Sequence, residues 1–158
     1  YEIRQYGYSR TDEKKSALLN HEAPGWALQS ADNHMVSLAD IRSRVVLLQF
    51  TSVSCGPCRA SIPFLKELHH EYDTTDFKLL AIECTSKNLN ALENYMNRNQ
   101  FDYMFLQADK EVLRNYSVGS YPVFYVLDKD RIIREVINGY AEGATDERIR
   151  FTINKLLE

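Results

Sequence analysis

Cysteine is scarce, with three residues in a chain of 158, and a disulfide-stapled scaffold would need more of them in a shorter chain. Long apolar runs are missing too, since nothing approaches the roughly 18 residues of a membrane-spanning helix. An excess of positive charge is also absent. The formal net charge of −3 leaves no electrostatic footprint for nucleic acid. No internal repeat or low-complexity tract interrupts the chain, and its length suits one domain, which commonly holds about 100–200 residues. Hydrophobic residues at 44% and charged residues at 26% are ordinary globular values.

What is present is a pattern of alternating elements. Residues 1–21 read as a polar, irregular lead-in or linker remnant that packs weakly, carrying Tyr1, Tyr6 and Tyr8 and then Asp12-Glu13-Lys14-Lys15. A single domain then runs over 22–158, with Met35 to Leu38 as a short early strand. Val45-Val46-Leu47-Leu48-Gln49-Phe50 is a nearly continuous apolar run of strand length, as in a sheet covered on both faces. Ile62, Leu65, Leu68 and Tyr72 recur at helical spacing after it. Phe77 to Ile82 is a second strand, Leu89, Leu92 and Met96 mark a second helix, Tyr103 to Leu106 a strand, and Lys110 to Tyr116 a short helix. Such alternation is the signature of βαβ units. Val123 to Leu127 and Ile132 to Ile137 flank Asp128-Lys129-Asp130 as an antiparallel hairpin. Thr145 is placed to cap a last helix. The expected fold class is α/β, with a mixed central sheet and helices on both faces.

Two of the three cysteines stand in Cys55-Gly56-Pro57-Cys58, between the first long strand and the helix that follows. Thiol–disulfide exchange needs a thiolate, and a cysteine at a helix N-terminus meets unpaired N–H groups and the positive end of the helix dipole. Pro57 suits the first helical turn, where its missing N–H costs nothing. Cys58 lies nearly one turn on, under the first sulfur. These positions assign Cys55 as the exposed nucleophile and Cys58 as the buried thiol that resolves a mixed disulfide. A CxxC can instead be half of a zinc site, but zinc normally takes four ligands. Here Cys84 is isolated and His69-His70 lie more than two turns beyond Cys58, so no metal is expected.

These residues resemble the thioredoxin superfamily, and within it the TlpA/ResA-like reductases of the AhpC/TSA-like branch, from about Glu22 to the end. Pro24 is similar to that branch's Ala-Pro entry, Pro63 to the proline that kinks the redox helix, and Pro122 to the cis-proline facing the dithiol. The resemblance implies the thioredoxin fold, with an N-terminal extension and an inserted helix–strand unit at about 88–107. It also implies that Gly56, Pro57, Tyr121 and Pro122 support the dithiol and contact a substrate peptide. Three positions depart from the family. Ser54 replaces the tryptophan before the first cysteine, Gln49 the buried acid of thioredoxin, and Ser61 the glutamate common in TlpA-like proteins.

Those acids carry the resolving thiol's proton, a general-base role that neutral side chains cannot fill. Glu83, from the neighbouring strand, could substitute as a proton shuttle, or simply face solvent at a strand end. Cys84 reads as a small buried hydrophobe. His21, His34, His69 and His70 read as scattered surface or packing residues.

The expected activity is that of a thiol–disulfide oxidoreductase, reducing protein or peptide disulfides with no bound cofactor because the electrons reside in the cysteine pair. Two readings compete: a non-catalytic fold that docks a peptide along the Pro122 loop, and a thiol peroxidase. Ser52, three residues before Cys55, fits the peroxidase motif, while Leu48 stands where that motif has proline. By resemblance the chain acts as a monomer in the periplasm or another extracytoplasmic space, with room for an anchor in a segment ahead of Tyr1. Its electron donor would be a membrane thiol-transfer protein or a thioredoxin, and no nucleic acid takes part.

Overall fold

A computed structural model describes residues 10–158, so the expectations for Tyr1, Tyr6 and Tyr8 lie outside the described residues. Helix α1 (Arg10–Ala17) opens this part. The lead-in is therefore not irregular from Arg10 onward, and it does not pack weakly, because Lys15 is buried and Leu18 packs against the core. Backbone pairing explains the difference. Asn20 N–H donates to Ile133 O at 2.7 Å, Ile133 N–H to His21 O at 2.9 Å and Ala23 N–H to Arg131 O at 2.8 Å, which lays the segment along the hairpin's outer edge.

Strands β1 (Ala27–Gln29) and β2 (Met35–Ser37) pair antiparallel as a small separate sheet. The main sheet comprises β3 (Val45–Thr51), β4 (Phe77–Glu83), β5 (Met104–Gln107), β6 (Val123–Leu127) and β7 (Ile133–Asn138), in the order β5-β4-β3-β6-β7. β4 runs parallel to both β3 and β5, whereas β6 is antiparallel to β3 and β7.

Alternation along the strands builds two cores. Val46, Leu48 and Phe50 of β3 face one side, against Trp26, Leu28 and helix α4 (Lys110–Asn115) through Val112. Val45 and Leu47 face the other, against α2 (Gly56–Glu71), α3 (Leu89–Asn99) and α5 (Ala144–Leu157). Burying one such leucine stabilises by about 1.5–3 kcal/mol, so β3, buried along its whole length, anchors both layers. The mixed sheet, the helices on both faces and the α3–β5 insertion agree with the sequence reading. One cap differs. α5 starts at Ala144 after Gly143 at φ +86, and Thr145 Oγ1, inside the helix, accepts from Ala141 N–H at 2.9 Å instead.

Candidate active site

The dithiol sits where β3 ends and α2 begins, at the C-terminal end of a parallel strand. Open α/β sheets bind their ligands at that edge. Cys55 is the N-cap of α2, with extended backbone at φ −97, ψ 123, and Pro57 lies in the first turn. Its sulfur accepts the N–H of Cys58 at 3.2 Å, which sets a donor and the helix's positive end against an atom that must carry charge. The same sulfur lies 3.5 Å from the carbonyl oxygen of Tyr121. The Tyr121–Pro122 bond is cis, so the proline loop and the dithiol meet as the resemblance implies. A Cβ at Gly56 would meet only the tip of Arg59, Nη2 at 4.0 Å, so this position has room for a side chain.

Cys55 is half-buried and Cys58 buried. Burial, and then the hydrogen bond with Cys55, pushes the Cys58 thiol up to about 12, against a weaker opposing pull from the Thr51 side chain. At neutral pH Cys58 is therefore a thiol, and it gives up its proton only as it reacts.

The neutral replacements are buried and joined. Gln49 Nε2 donates to Ser61 Oγ at 3.0 Å, and Ser61 Oγ donates to Cys58 O at 2.7 Å. Glu83 is 1% exposed, which overturns the solvent-facing alternative. It pairs in register with Thr51, and that pairing turns it toward the α2 side of the sheet. Its Oε2 accepts from Val53 N–H at 2.9 Å and Thr85 Oγ1 at 3.1 Å, and its Oε1 from Thr85 N–H at 3.1 Å and Ser86 N–H at 2.6 Å. These bonds end on the loop before Cys55 and on the turn after β4. Among the described residues none of them reaches Cys58.

Ser52 Oγ shares hydrogen bonds with Ser54 Oγ at 3.2 Å and Thr85 Oγ1 at 2.8 Å. Its hydroxyl thus serves the loop and not the Cys55 sulfur, as the peroxidase motif would have it. Cys84, half-buried, donates to Ile82 O at 3.3 Å, and burial followed by the charge of Glu83 pushes its thiol up. Sequence reasoning passed over Thr51 and Thr85. The signal for Thr51 was strand parity, because it shares a face with Gln49 two residues earlier.

The chain is similar to known proteins in sequence and in fold. The AhpC/TSA family matches over residues 19–136. The thiol-disulfide oxidoreductase ResA of Bacillus thuringiensis subsp. konkukian is 28% identical over 148 residues, covering 91% of this chain and 83% of its own. A putative thiol:disulfide interchange protein DsbE from Chlorobium tepidum superposes with a TM-score of 0.78 at 24% identity, over 87% of this chain and 96% of that one. The pneumococcal exposed lipoprotein thioredoxin Etrx1 from Streptococcus pneumoniae superposes with a TM-score of 0.70 at 23% identity, over 84% of this chain and 100% of that one.

Proposed function

The chain belongs to the AhpC/TSA family, as a ResA-like member of the thioredoxin superfamily, and from that premise we propose that it is a thiol–disulfide oxidoreductase reducing protein or peptide disulfides through Cys55 and Cys58. The observation that carries the reading is the Cys55 sulfur, held between the Cys58 N–H at 3.2 Å and the Tyr121 carbonyl at 3.5 Å. A nucleophile with a hydrogen-bond donor on one side and a peptide-binding loop on the other can meet an extended substrate through backbone contacts.

The exchange proceeds in two displacements. The Cys55 thiolate attacks one sulfur of the substrate disulfide, forming the mixed disulfide and expelling the other sulfur as a thiolate that takes up a proton. Cys58 then loses its proton and attacks Cys55 Sγ, which forms the Cys55–Cys58 disulfide and releases the second substrate thiolate. Two electrons pass from the dithiol to the substrate. Because Gln49 and Ser61 are neutral and bonded to each other, the proton of Cys58 passes to water or to the departing thiolate. Glu83 acts in this reading as a positioning residue, fixing Val53 and hence the approach to Cys55.

No cofactor enters these steps. A second thiol donor, a membrane thiol-transfer protein or a thioredoxin, closes the cycle. An extracytoplasmic location accords with the likeness to an exposed lipoprotein thioredoxin, and no helix among the described residues is long and apolar enough to cross a membrane. Insulin reduction by the wild type and by Cys55→Ser tests the activity. Turnover that vanishes in the variant is expected, and equal, negligible turnover in both while peptide still binds would establish the docking module instead.

A further inference from the structure

A second cluster of ligand-bearing side chains lies away from the dithiol. His69 and His70 occupy the last turn of α2, and Asp102 stands just before β5, in the inserted unit. The sequence scatters these residues, but the fold gathers them. One ligand atom from each of His69, His70 and Asp102 lies within 4.8 Å of the others. The two imidazoles stand 4.9 Å apart between centroids, and His69 also faces the Tyr103 ring at 6.2 Å. His70 Nε2 is hydrogen-bonded to Asp102 Oδ2.

We propose that His69, His70 and Asp102 form a binding site for a divalent transition-metal ion, with Zn²⁺ the ion their donors suit, separate from the redox centre. Two imidazoles and one carboxylate are a donor set that Zn²⁺ accepts while leaving a position for water. Atoms bound to one zinc ion stand about 3.3 Å apart, given bonds of about 2.0–2.2 Å, so the three side chains must close up. Two of them have room to turn, because the side chains of His70 and Asp102 are 66% and 48% exposed. Partly buried His69 supplies the fixed point.

The surroundings favour a cation. His69 and Asp102 line a cavity of about 380 Å³ whose charged lining comprises Asp32, Glu93 and Asp102 against Lys78 alone. Metal binding would replace the direct His70–Asp102 contact with two bonds to the ion and tie the end of the redox helix to the inserted unit.

Titration calorimetry with Zn²⁺ on the full chain carrying Cys55→Ser, Cys58→Ser and Cys84→Ser removes every competing thiol. One equivalent is expected to bind, and adding His70→Gln or Asp102→Asn should each weaken binding at least about tenfold, the lower end of the loss seen when even outer partners of a metal ligand are removed. Affinity unchanged by both variants, or no saturable uptake, would overturn the site. Paramagnetic Ni²⁺ gives a readout in the same background that needs no further variant. The ring protons of His69 and His70 should broaden at substoichiometric metal while those of His21, which lies along β7 at the opposite edge of the sheet, stay sharp, and equal broadening of all three would sink the proposal.

Discussion

Gln49 and Ser61 are hydrogen-bonded to each other beneath the dithiol, Nε2 to Oγ at 3.0 Å, and both are buried. The resemblance to thioredoxin and to TlpA-like proteins implies acids at these two positions. The pair is self-satisfied: the amide spends a donor on the hydroxyl, and the hydroxyl spends its own on Cys58 O. Such a couple holds α2 against β3 but takes no proton.

Breaking it from one side should therefore cost stability more than catalysis. Ser61→Ala strands a buried amide donor, and a donor left without a partner costs about 1–3 kcal/mol. Gln49→Met added to Ser61→Ala removes both groups, so the double variant should lose less than the two single losses combined. Urea unfolding of the reduced protein measures both effects. Insulin reduction should stay near wild type per folded molecule, and a collapse in turnover would mean that the pair carries a proton after all.

Cys58 makes stability depend on pH in one direction. Its thiol rises from 9.0 to about 12 on folding, mainly through burial. Between those values the unfolded chain has released this proton and the folded chain still holds it, so raising the pH favours unfolding. The stabilisation is complete below about pH 9 and is lost as the pH climbs toward 12. Urea midpoints of the reduced protein should fall over this window more steeply in wild type than in Cys58→Ser. Parallel curves would refute the assignment. Iodoacetamide, located by mass spectrometry, should leave Cys58 unlabelled at neutral pH.

The sheet was legible because its signals are local. Val45 to Phe50 is apolar on both faces, and that demands cover on both sides. The redox pair was legible because spacing and setting coincide in Cys55-Gly56-Pro57-Cys58. Pairings across the fold were not. Nothing near Glu83 in the chain announces Val53 as a partner, since that contact exists only once β3 and β4 lie in register at Thr51 and Glu83. Asp102 likewise meets His70 only after α3 and β5 fold back against α2. The cap of α5 misled for a different reason. Thr145 is a good capping residue, but Gly143 alone adopts the positive φ that turns the chain into the helix.

Glu83→Gln should loosen the loop before Cys55. The carboxylate accepts three backbone N–H groups and one hydroxyl, and an amide can offer an oxygen to only one side of that set. A loss of about 1–3 kcal/mol is expected, with faster amide exchange at Val53 and Ser86. The pH profile of Cys58 alkylation should keep its shape, because Glu83 makes no hydrogen bond to that thiol. A profile displaced in the variant would restore Glu83 as the proton acceptor.

The redox potential follows from what surrounds the sulfurs. A strongly oxidising pair, near −120 mV, owes its potential to a stabilised reduced form, whereas thioredoxin sits at about −270 mV. Here burial opposes the Cys58 thiolate, and no cation figures among the groups that shift this thiol. Cys58 therefore adds no thiolate stabilisation to the reduced form at neutral pH, and the Gly56-Pro57 dipeptide, which resembles that of thioredoxin, favours a reducing pair. Equilibration with dithiothreitol buffers, read by thiol alkylation, should place the potential within about 30 mV of the thioredoxin value, a tolerance equal to a tenfold change in the exchange constant. A potential near −120 mV would make the protein an oxidase of its substrates and reverse the direction of transfer.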